Sequence, residues 1–168
     1  ISLHQAEIKN AVAVSWTALT DKHIDTIKRL TKKIYLCFDR DNAWKNATKL
    51  AIENLKNKEL EVKIIVLEWW KDPDEIIKKW MDFNLLIKKA ISPIMYYIKE
   101  LKSDYNLDSI EEKRKFLREI LSVLKNYTDN IEIDFYLKEI ASELDIDRKI
   151  VTDEFKNTKL PRIEKKEV

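Results

Sequence analysis

The chain has 168 residues, of which 37% are charged and 45% apolar, and this is the composition of a soluble globular protein with a sizeable core. Its 32 basic and 30 acidic residues leave a formal net charge of +2, so bulk charge gives no evidence for a polyanionic partner, and contact with nucleic acid would depend on local lysine clusters. The single cysteine, Cys37, excludes an internal disulfide and fits packing in a reducing cytoplasm.

No segment approaches the roughly 18 uncharged apolar residues that a membrane-spanning helix needs. The N-terminus also lacks the layout of a signal peptide. We therefore expect a cytoplasmic protein that makes no contact with a membrane.

Short apolar runs alternate with amphipathic segments over the first 90 residues. Strands are predicted at 11–14, 33–38 and 61–67, and each is followed by polar turn residues and then by a helical pattern. This alternation predicts an α/β fold, in which a parallel sheet carries helices on its faces.

The helices between these strands have recognisable starts. Thr20 is placed to cap the first of them, in which Ile24, Ile27 and Leu30 share one face. Two further helices are predicted, over 42–57 and from Pro73 to about Lys79.

From about residue 82 the pattern becomes helix after helix. Ser109 and Glu112 have the spacing of a capping box, and the helix behind them carries an apolar stripe of Phe116, Ile120, Leu121 and Leu124. Helices are predicted at 82–90, 92–103, 109–126, 132–144 and 147–157. We therefore predict an α/β domain over 1–81, a helical subdomain over 82–157 and a charged tail or linker over 158–168.

Acidic residues follow two of the predicted strands. Asp39 and Asp41 come directly after the 33–38 strand, and Asp72, Asp74 and Glu75 come shortly after the 61–67 strand. The carboxyl ends of parallel strands meet at one edge of a sheet, and several carboxylates gathered there repel one another unless a cation neutralises them. Hard oxygen ligands suit Mg²⁺ or Mn²⁺, so we predict a divalent metal site.

Two alternatives to the metal site remain open. Asp41 and Asp72 each precede a helix and could act only as caps, although capping does not require a second aspartate in each motif. Two aspartates one residue apart after an apolar strand, as in Asp39 and Asp41, also occur in phosphatases of the haloacid dehalogenase type, where the first aspartate is a nucleophile. Ala43 stands where those enzymes have Thr or Val.

Several other polar and aromatic residues are weaker candidates. Phosphate contacts are possible at Thr17, Lys45, Lys49 and Lys71. Tyr96 and Tyr97 could stack on bases, but aromatic residues at helical spacing more often belong to a core. His23 is expected on a helix surface, whereas the role of His4 stays open.

Three longer segments of the sequence resemble the TOPRIM part of bacterial DnaG-type primases. They are "SLHQAEIKNAVAVSWTALTDKHI", "IYLCFDRDNAWKNATKLAIE" and "VKIIVLEWWKDPDEIIKKW". The helical part is similar to the segment that follows TOPRIM in that family, in "RKFLREILSVLKN" and "DFYLKEIASELDID". The resemblance covers roughly residues 1–157 and implies a TOPRIM-like parallel sheet with flanking helices, followed by a small all-helical subdomain.

The resemblance implies an enzyme that synthesises short RNA primers on a single-stranded DNA template from ribonucleoside triphosphates, as a DNA-directed RNA polymerase. Asp39, Asp41 and Asp72 would then be catalytic, and together with Asp74 they would hold Mg²⁺ or Mn²⁺. Glu75 would support them from outside the ligand set. The family's replicative helicase would be contacted through a domain absent from this chain.

Two features of the chain depart from the family pattern. The family's catalytic glutamate lies upstream of residue 1, so the chain alone is expected to be inactive. Other TOPRIM proteins, such as nucleases or topoisomerases, and an inactive scaffold of the same fold therefore remain alternatives. Glycine is absent, and the family has glycine at Glu7 and at the five tryptophans, Trp16, Trp44, Trp69, Trp70 and Trp80. Either the sequence has been altered at glycine sites, or bulky side chains obstruct the metal site.

Overall fold

The computed structural model describes residues 1–13, 20–38, 48, 52, 60–67, 73–79 and 82–158. The chain divides into two compact units, Ile1–Tyr96 and Tyr97–Val168. The predicted domain boundary after residue 81 lies where the TOPRIM-like sequence segments end, and it differs from the boundary between the two compact units. It stays a prediction.

The first unit contains a two-stranded parallel sheet in its described residues. Strands β1 (Lys33–Cys37) and β2 (Glu61–Ile65) pair in register from Lys33 opposite Glu61 to Cys37 opposite Ile65. The helices are α1 (Ser2–Gln5), α2 (Asp21–Leu30), α3 (Pro73–Lys78) and α4 (Phe83–Lys88). Thr48 and Ile52, within the helix predicted over 42–57, are also helical, and both are buried. The α/β prediction and both of these strands are confirmed.

The strand predicted at 11–14 is wrong for Ala11–Ala13, which take no regular structure, while Val14 lies outside the described residues. His4 Nε2 lies 2.6 Å from the Ala11 carbonyl oxygen. The His4 side chain therefore contacts a backbone acceptor that pairing with a neighbouring strand would use. Val12 is 83% exposed. A short apolar run forms a strand only when its backbone and one face both find partners, and neither condition is met here.

The sheet is covered on both faces, as a parallel sheet requires. Alternate residues point to opposite sides, so Ile34 packs with Ile24 of α2, while Ile65 packs with Ile76 of α3 on the other side. Ile91 exchanges two backbone hydrogen bonds with Ile64 in an antiparallel bridge, at 2.7 and 3.0 Å. This bridge, in a stretch predicted to hold only helices, gives β2 a neighbour besides β1.

Helix α2 begins as predicted. The Thr20 side chain accepts a hydrogen bond from the His23 backbone N–H, and the His23 ring accepts one from the Thr20 N–H, so His23 completes a capping box from the helix surface. Ile24 is fully buried, but Leu30 is 83% exposed, so its predicted place on the apolar face is wrong. Two steps of three residues carry Leu30 about 120° around the helix from Ile24.

Glu7 has a φ of 63°, a left-handed conformation that favours glycine. Replacing Glu7 by glycine is expected to raise the free energy of unfolding of the first unit by about 1 kcal/mol, because the Cβ no longer clashes with the backbone. Urea denaturation measures the change. The matched control is Glu7→Ala, which also loses the 2.9 Å contact with Lys9 but keeps the Cβ. A glycine variant no more stable than the alanine variant would contradict the expectation.

The second unit is built from helices. Helix α5 (Pro93–Leu101) contains the point of division, and a 3₁₀ turn (Lys102–Asp104) follows it. Then come α6 (Ile110–Leu124), α7 (Asn130–Leu144) and α8 (Arg148–Asn157). The predicted helices of this part are therefore confirmed. The four apolar residues of the predicted stripe on α6 are fully buried, as expected.

The capping box predicted at Ser109 forms only in part. Ser109 Oγ accepts from the Glu112 N–H at 3.5 Å, but the Glu112 carboxylate accepts from the Asn106 N–H instead of returning to Ser109. The Ser109 N–H already donates to the Asn106 carbonyl at 3.1 Å. Because the Ser109 N–H already has an acceptor, it does not need the Glu112 carboxylate.

Glu119 of α6 joins two tyrosines of the second unit. It accepts hydrogen bonds from the hydroxyls of Tyr97 and Tyr105, the latter at 2.8 Å. Burial is the main cause that raises the pKa of both phenols, that of Tyr105 to about 12, and the Glu119 carboxylate adds to it. Tyr96 and Tyr97 are both buried, so the core interpretation of this pair is confirmed.

Candidate metal site at the strand ends

The predicted metal ligands divide between described and undescribed residues. Asp74 is described, whereas Asp39, Asp41 and Asp72 lie outside the described residues. The weaker phosphate candidates and the five tryptophans also lie outside them; the former are Thr17, Lys45, Lys49 and Lys71. The structural account of the site therefore rests on Asp74 and on the elements that lead into the acidic motifs.

Both acidic motifs follow the same end of the sheet. In the parallel register, Cys37 and Ile65 are opposite each other at the carboxyl ends of β1 and β2. Asp39 comes shortly after Cys37 in the sequence, and α3, which carries Asp74, is the next described element after the β2 strand. Open parallel α/β sheets bind ligands outside this end of the strands.

Asp74 lies in the first turn of α3, where the positive end of the helix dipole favours a carboxylate. Its Oδ2 is 2.6 Å from Lys78 Nζ, one helical turn further on, and its Oδ1 accepts a hydrogen bond from Ser2 Oγ. The hydrogen bond from Lys78, and then that from Ser2, lower the pKa of Asp74. The carboxylate is thus ionised at neutral pH, and the side chain remains 44% exposed.

An apolar cluster anchors α3, the helix that carries Asp74. Ile76 of α3 is fully buried and belongs to a cluster with the ends of both strands. Partly buried members of the cluster come from the opening segment, from β1, from α3 and α4, and from the residues after α4; they are Leu3, Ile8, Cys37, Ile77, Leu86, Ile87 and Ala90. Helix α1 contacts α3, which is how Ser2 reaches Asp74. The packing role predicted for Cys37 is the one that it has in this cluster.

Glu75, the neighbour of Asp74, has a different partner. Its Oε1 lies 3.7 Å from Lys79 Nζ, one turn along α3. Both i,i+4 pairs on this helix could be foreseen from the sequence spacing, since such positions are neighbours on a helix surface. The Ser2 contact gave no sequence signal, because it joins residues that are far apart in the chain.

The donor chemistry of the acidic motifs fits a hard divalent cation, which prefers carboxylate oxygens. Asp74 supplies two such oxygens, with Lys78 Nζ and Ser2 Oγ as their present partners. Within the described ranges, no three His, Cys, Asp or Glu side chains come together as a metal-binding group. A complete site would therefore have to draw on the aspartates that follow β1 and precede α3.

Two family models match the chain in sequence. A model described as Toprim-like matches residues 1–77, and a model described as the DnaB-helicase binding domain of primase matches residues 94–149. The second match corrects one expectation, that helicase contact would involve only a domain absent from this chain, because the helicase-binding description falls on the chain's own helical part.

The chain is also similar to curated DNA primases. It is 33% identical to that of Clostridium acetobutylicum over 91% of this chain and 26% of the relative, and 31% identical to that of Campylobacter jejuni over 90% of this chain and 25% of the relative. The chain thus spans about a quarter of the length of these relatives.

Solved primase structures share the fold. The DnaG primase catalytic domain bound to ssDNA superimposes with a TM-score of 0.69 and 22% identity, over 89% of this chain and 49% of that chain. The Aquifex aeolicus primase, comprising zinc-binding and RNA polymerase domains, matches with a TM-score of 0.59 and 29% identity, over 89% of this chain and 36% of that chain.

The parallel strands, the acids that follow them and the Toprim-like match together define a protein of the Toprim class. Similarity to primases continues past that region through the helical part. The chain is thus similar to bacterial DNA primases of the DnaG type over most of its length.

Proposed function

We propose that this chain is part of the RNA polymerase core of a bacterial DNA primase, which makes short RNA primers on single-stranded DNA by metal-dependent nucleotidyl transfer. The observation that carries the proposal is the parallel pairing of β1 with β2, because parallel strands end at the same edge of a sheet and each acidic motif follows one of these strands in the sequence. Similarity to DNA primases over nine tenths of the chain supports it.

Four aspartates would hold the metal in this proposal: Asp39, Asp41, Asp72 and Asp74. The first three would be catalytic as well, since ions held there would contact the reacting triphosphate. Bound Mg²⁺ or Mn²⁺ supplies positive charge that stabilises the charge developing on the triphosphate and on the departing pyrophosphate.

The residues of the chain mainly hold groups in position. Ser2 orients the Asp74 carboxylate, and Lys78 lowers its pKa while occupying one oxygen that a bound cation would take over, so the carboxylate needs no proton loss before it binds a cation. Lys45, Lys49, Lys71 and Thr17 remain proposed contacts for phosphate groups. Nucleotide and template orientation would be the main contribution of the protein, as is usual in phosphoryl transfer.

The partners of the proposed enzyme are the DNA template, ribonucleoside triphosphates and the replicative helicase. One similar solved structure is that of a primase catalytic domain bound to ssDNA, which supports the DNA template as a partner. One family model is described as helicase-binding, which supports the replicative helicase. A role in replication would place the protein in the cytoplasm. We retain the proposed boundaries, 1–81 for the TOPRIM-like part, 82–157 for the helical subdomain and 158–168 for the tail.

A primer-synthesis assay tests the proposal. The full-length primase that contains this chain, given a single-stranded template, ribonucleoside triphosphates and Mg²⁺ or Mn²⁺, is expected to make short RNA. Asp39→Asn should reduce the rate at least about 100-fold, because a charged oxygen ligand is lost where charge develops.

Asp108→Asn is the matched control, since Asp108 is an exposed aspartate in the second unit. It should leave the rate unchanged. Cleavage of DNA without RNA synthesis would replace the proposal with a Toprim nuclease or topoisomerase. An inactive enzyme with every metal tested would favour the scaffold alternative.

A further inference from the structure

Helix α6 has two chemically different faces. One side is buried in the core of the second unit through Phe116, Ile120 and Leu124. On the opposite side, all the exposed residues after the first turn are basic, namely Arg114, Lys115 and Arg118. Lys125, just past the helix, continues the same side, and we refer to these four residues as the basic face.

The cations of the basic face have no acidic partner among the described residues. The side chains of Arg114, Lys115 and Arg118 form no ion pair or hydrogen bond within that part of the chain. Lys125 Nζ lies 4.0 Å from the centroid of the Phe155 ring, a contact that leaves its charge uncompensated. Glu111, in the first turn of the helix, is the one exposed acid on this side of α6 and makes no contact with them in the described structure.

Several other cations of the second unit do pair with acids. Asp134 is bonded to Arg148 and lies 3.3 Å from Lys138, and Lys156 lies 3.5 Å from Asp153. Acidic residues are therefore available in this unit, and they pair with cations elsewhere. Unpaired like charges on one face repel one another, so a bound anion would relieve the repulsion between Arg114 and Arg118, which lie one helical turn apart.

The geometry fits a charged chain better than a single ion. At 100° per residue, Arg114, Arg118 and Lys125 fall within about 40° of one line along the helix, and Arg114 and Lys125 are about 16 Å apart along its axis. Phosphates of a nucleic-acid strand follow one another at about 3.4 Å in B-form and are not held at that spacing in a single strand, and a face of this length can contact more than one of them. Arginine is suited to contact phosphate through two N–H groups at once.

We propose that the basic face binds the phosphate backbone of single-stranded DNA. The inference rests on the proposed function, in which single-stranded DNA is the template, and adds a contact surface away from the strand-end acids. An acidic protein surface is the less favoured occupant, although the helicase-binding model spans α6 and Ile110 in the first turn is 70% exposed, because the exposed residues of α6 after that turn are all cations and offer no further apolar anchor. Contact through phosphate alone predicts binding without base preference.

The test is a salt titration of DNA binding by the full chain. Fluorescence anisotropy of a labelled oligothymidylate is measured from low to moderate NaCl, with EDTA present so that metal binding plays no part. The triple variant Arg114→Gln, Lys115→Gln, Arg118→Gln is expected to bind roughly 10-fold to 100-fold more weakly near 0.1 M salt. Its slope of log K against log salt concentration should be shallower by about 2, because each lost phosphate contact on a single strand lowers the slope by about 0.7 and three contacts are lost.

A control of equal charge loss is Lys138→Gln, Lys149→Gln, Lys156→Gln on α7 and α8. This variant is expected to keep the wild-type slope, and an equal loss of binding in it would overturn the proposal in favour of net charge alone. Unchanged DNA binding in the triple variant of the basic face would also overturn it. If that variant then failed to retain the replicative helicase in a pull-down, the occupant would be a protein.

Failure of this proposal is distinguishable from failure of the proposed function. The double variant Asp39→Asn, Asp41→Asn should lose primer synthesis but keep DNA binding in EDTA. Loss of DNA binding confined to the basic-face variant supports the inference whether or not primers are made.

Discussion

Replacing Asp39 and Asp41 together by asparagine is expected to weaken Mn²⁺ binding at least about 100-fold. In the proposed site the pair would supply two carboxylates shortly after β1 in the sequence, and an amide oxygen is a much poorer ligand for a hard cation than a carboxylate. Even residues outside the ligand set usually change metal affinity 10-fold to 100-fold, so the loss of two ligands should do more. Titration followed by the EPR signal of free Mn²⁺ measures the affinity directly.

Two further variants sharpen the metal experiment. The double variant Asp108→Asn, Glu111→Gln removes the same charge from exposed positions of the second unit and should bind Mn²⁺ as the wild type does. Lys78→Gln should bind it at least as tightly, because it removes the cation that contacts Asp74 Oδ2 at 2.6 Å. If the Asp39 and Asp41 variant kept full affinity, the chain would be a scaffold that holds no metal at these residues.

Replacing Phe116 by alanine is expected to lower the free energy of unfolding of the second unit by about 3–5 kcal/mol. Phe116 is fully buried in α6, and its ring meets that of Tyr105 edge to face, with centroids 5.6 Å apart. The substitution removes this burial and leaves a cavity that the surrounding helices fill only in part. A loss of this size is a large fraction of the roughly 5–15 kcal/mol that stabilises a typical domain.

Phe135→Ala is the matched control for this experiment. Phe135 is the same residue type on α7 but is 53% exposed, so its loss should cost less than about 1 kcal/mol. Urea denaturation followed by circular dichroism compares the two. If Phe116→Ala does not fold, Phe116→Leu should still unfold at lower urea than the wild type. Equal effects of the two alanine variants would show that Phe116 is not central to the core.

The helices of this protein were predictable because their signals are local. Thr20, Ser109 and Pro73 mark the starts of helices by side-chain chemistry that acts within one turn. The apolar stripe of α6 repeats with the helical period and is buried as a whole. Leu30 shows the limit of the method, since a spacing of three residues drifts around the helix and finally leaves the core.

Glycine positions are a second place where sequence and structure meet. Glu7, a position where the family has glycine, takes a left-handed conformation. Asp145, at the end of α7, does so too, with a φ of 50°. The N–H groups of Asp145 and Ile146 bond the Ser142 and Ala141 carbonyls, which is the Schellman pattern that usually ends on glycine. Two of the described residues therefore keep a glycine-like backbone conformation in a chain whose sequence has no glycine.

The candidate site could be predicted as a location but not as an arrangement. The sequence indicated that Asp39, Asp41, Asp72 and Asp74 follow strands, and the parallel register of β1 and β2 is consistent with a common edge. The roles of Asp39, Asp41 and Asp72 stay predictions, because these residues lie outside the described part of the chain. For Asp74, only the structure could show that Ser2 and Lys78 both bond its carboxylate.

The sequence by itself determined the helices of this protein, two of its strands and their order, because periodicity and caps act over a few neighbouring residues, and longer segments of it carried the resemblance to primases. Tertiary structure alone decided that residues 11–13 form no strand, that Ile91 pairs with Ile64, and that Glu119 joins Tyr97 to Tyr105. Each of these outcomes depends on which distant groups come close enough to satisfy a hydrogen bond or bury an apolar face. Packing of the whole chain sets those distances, and no short stretch of sequence contains them.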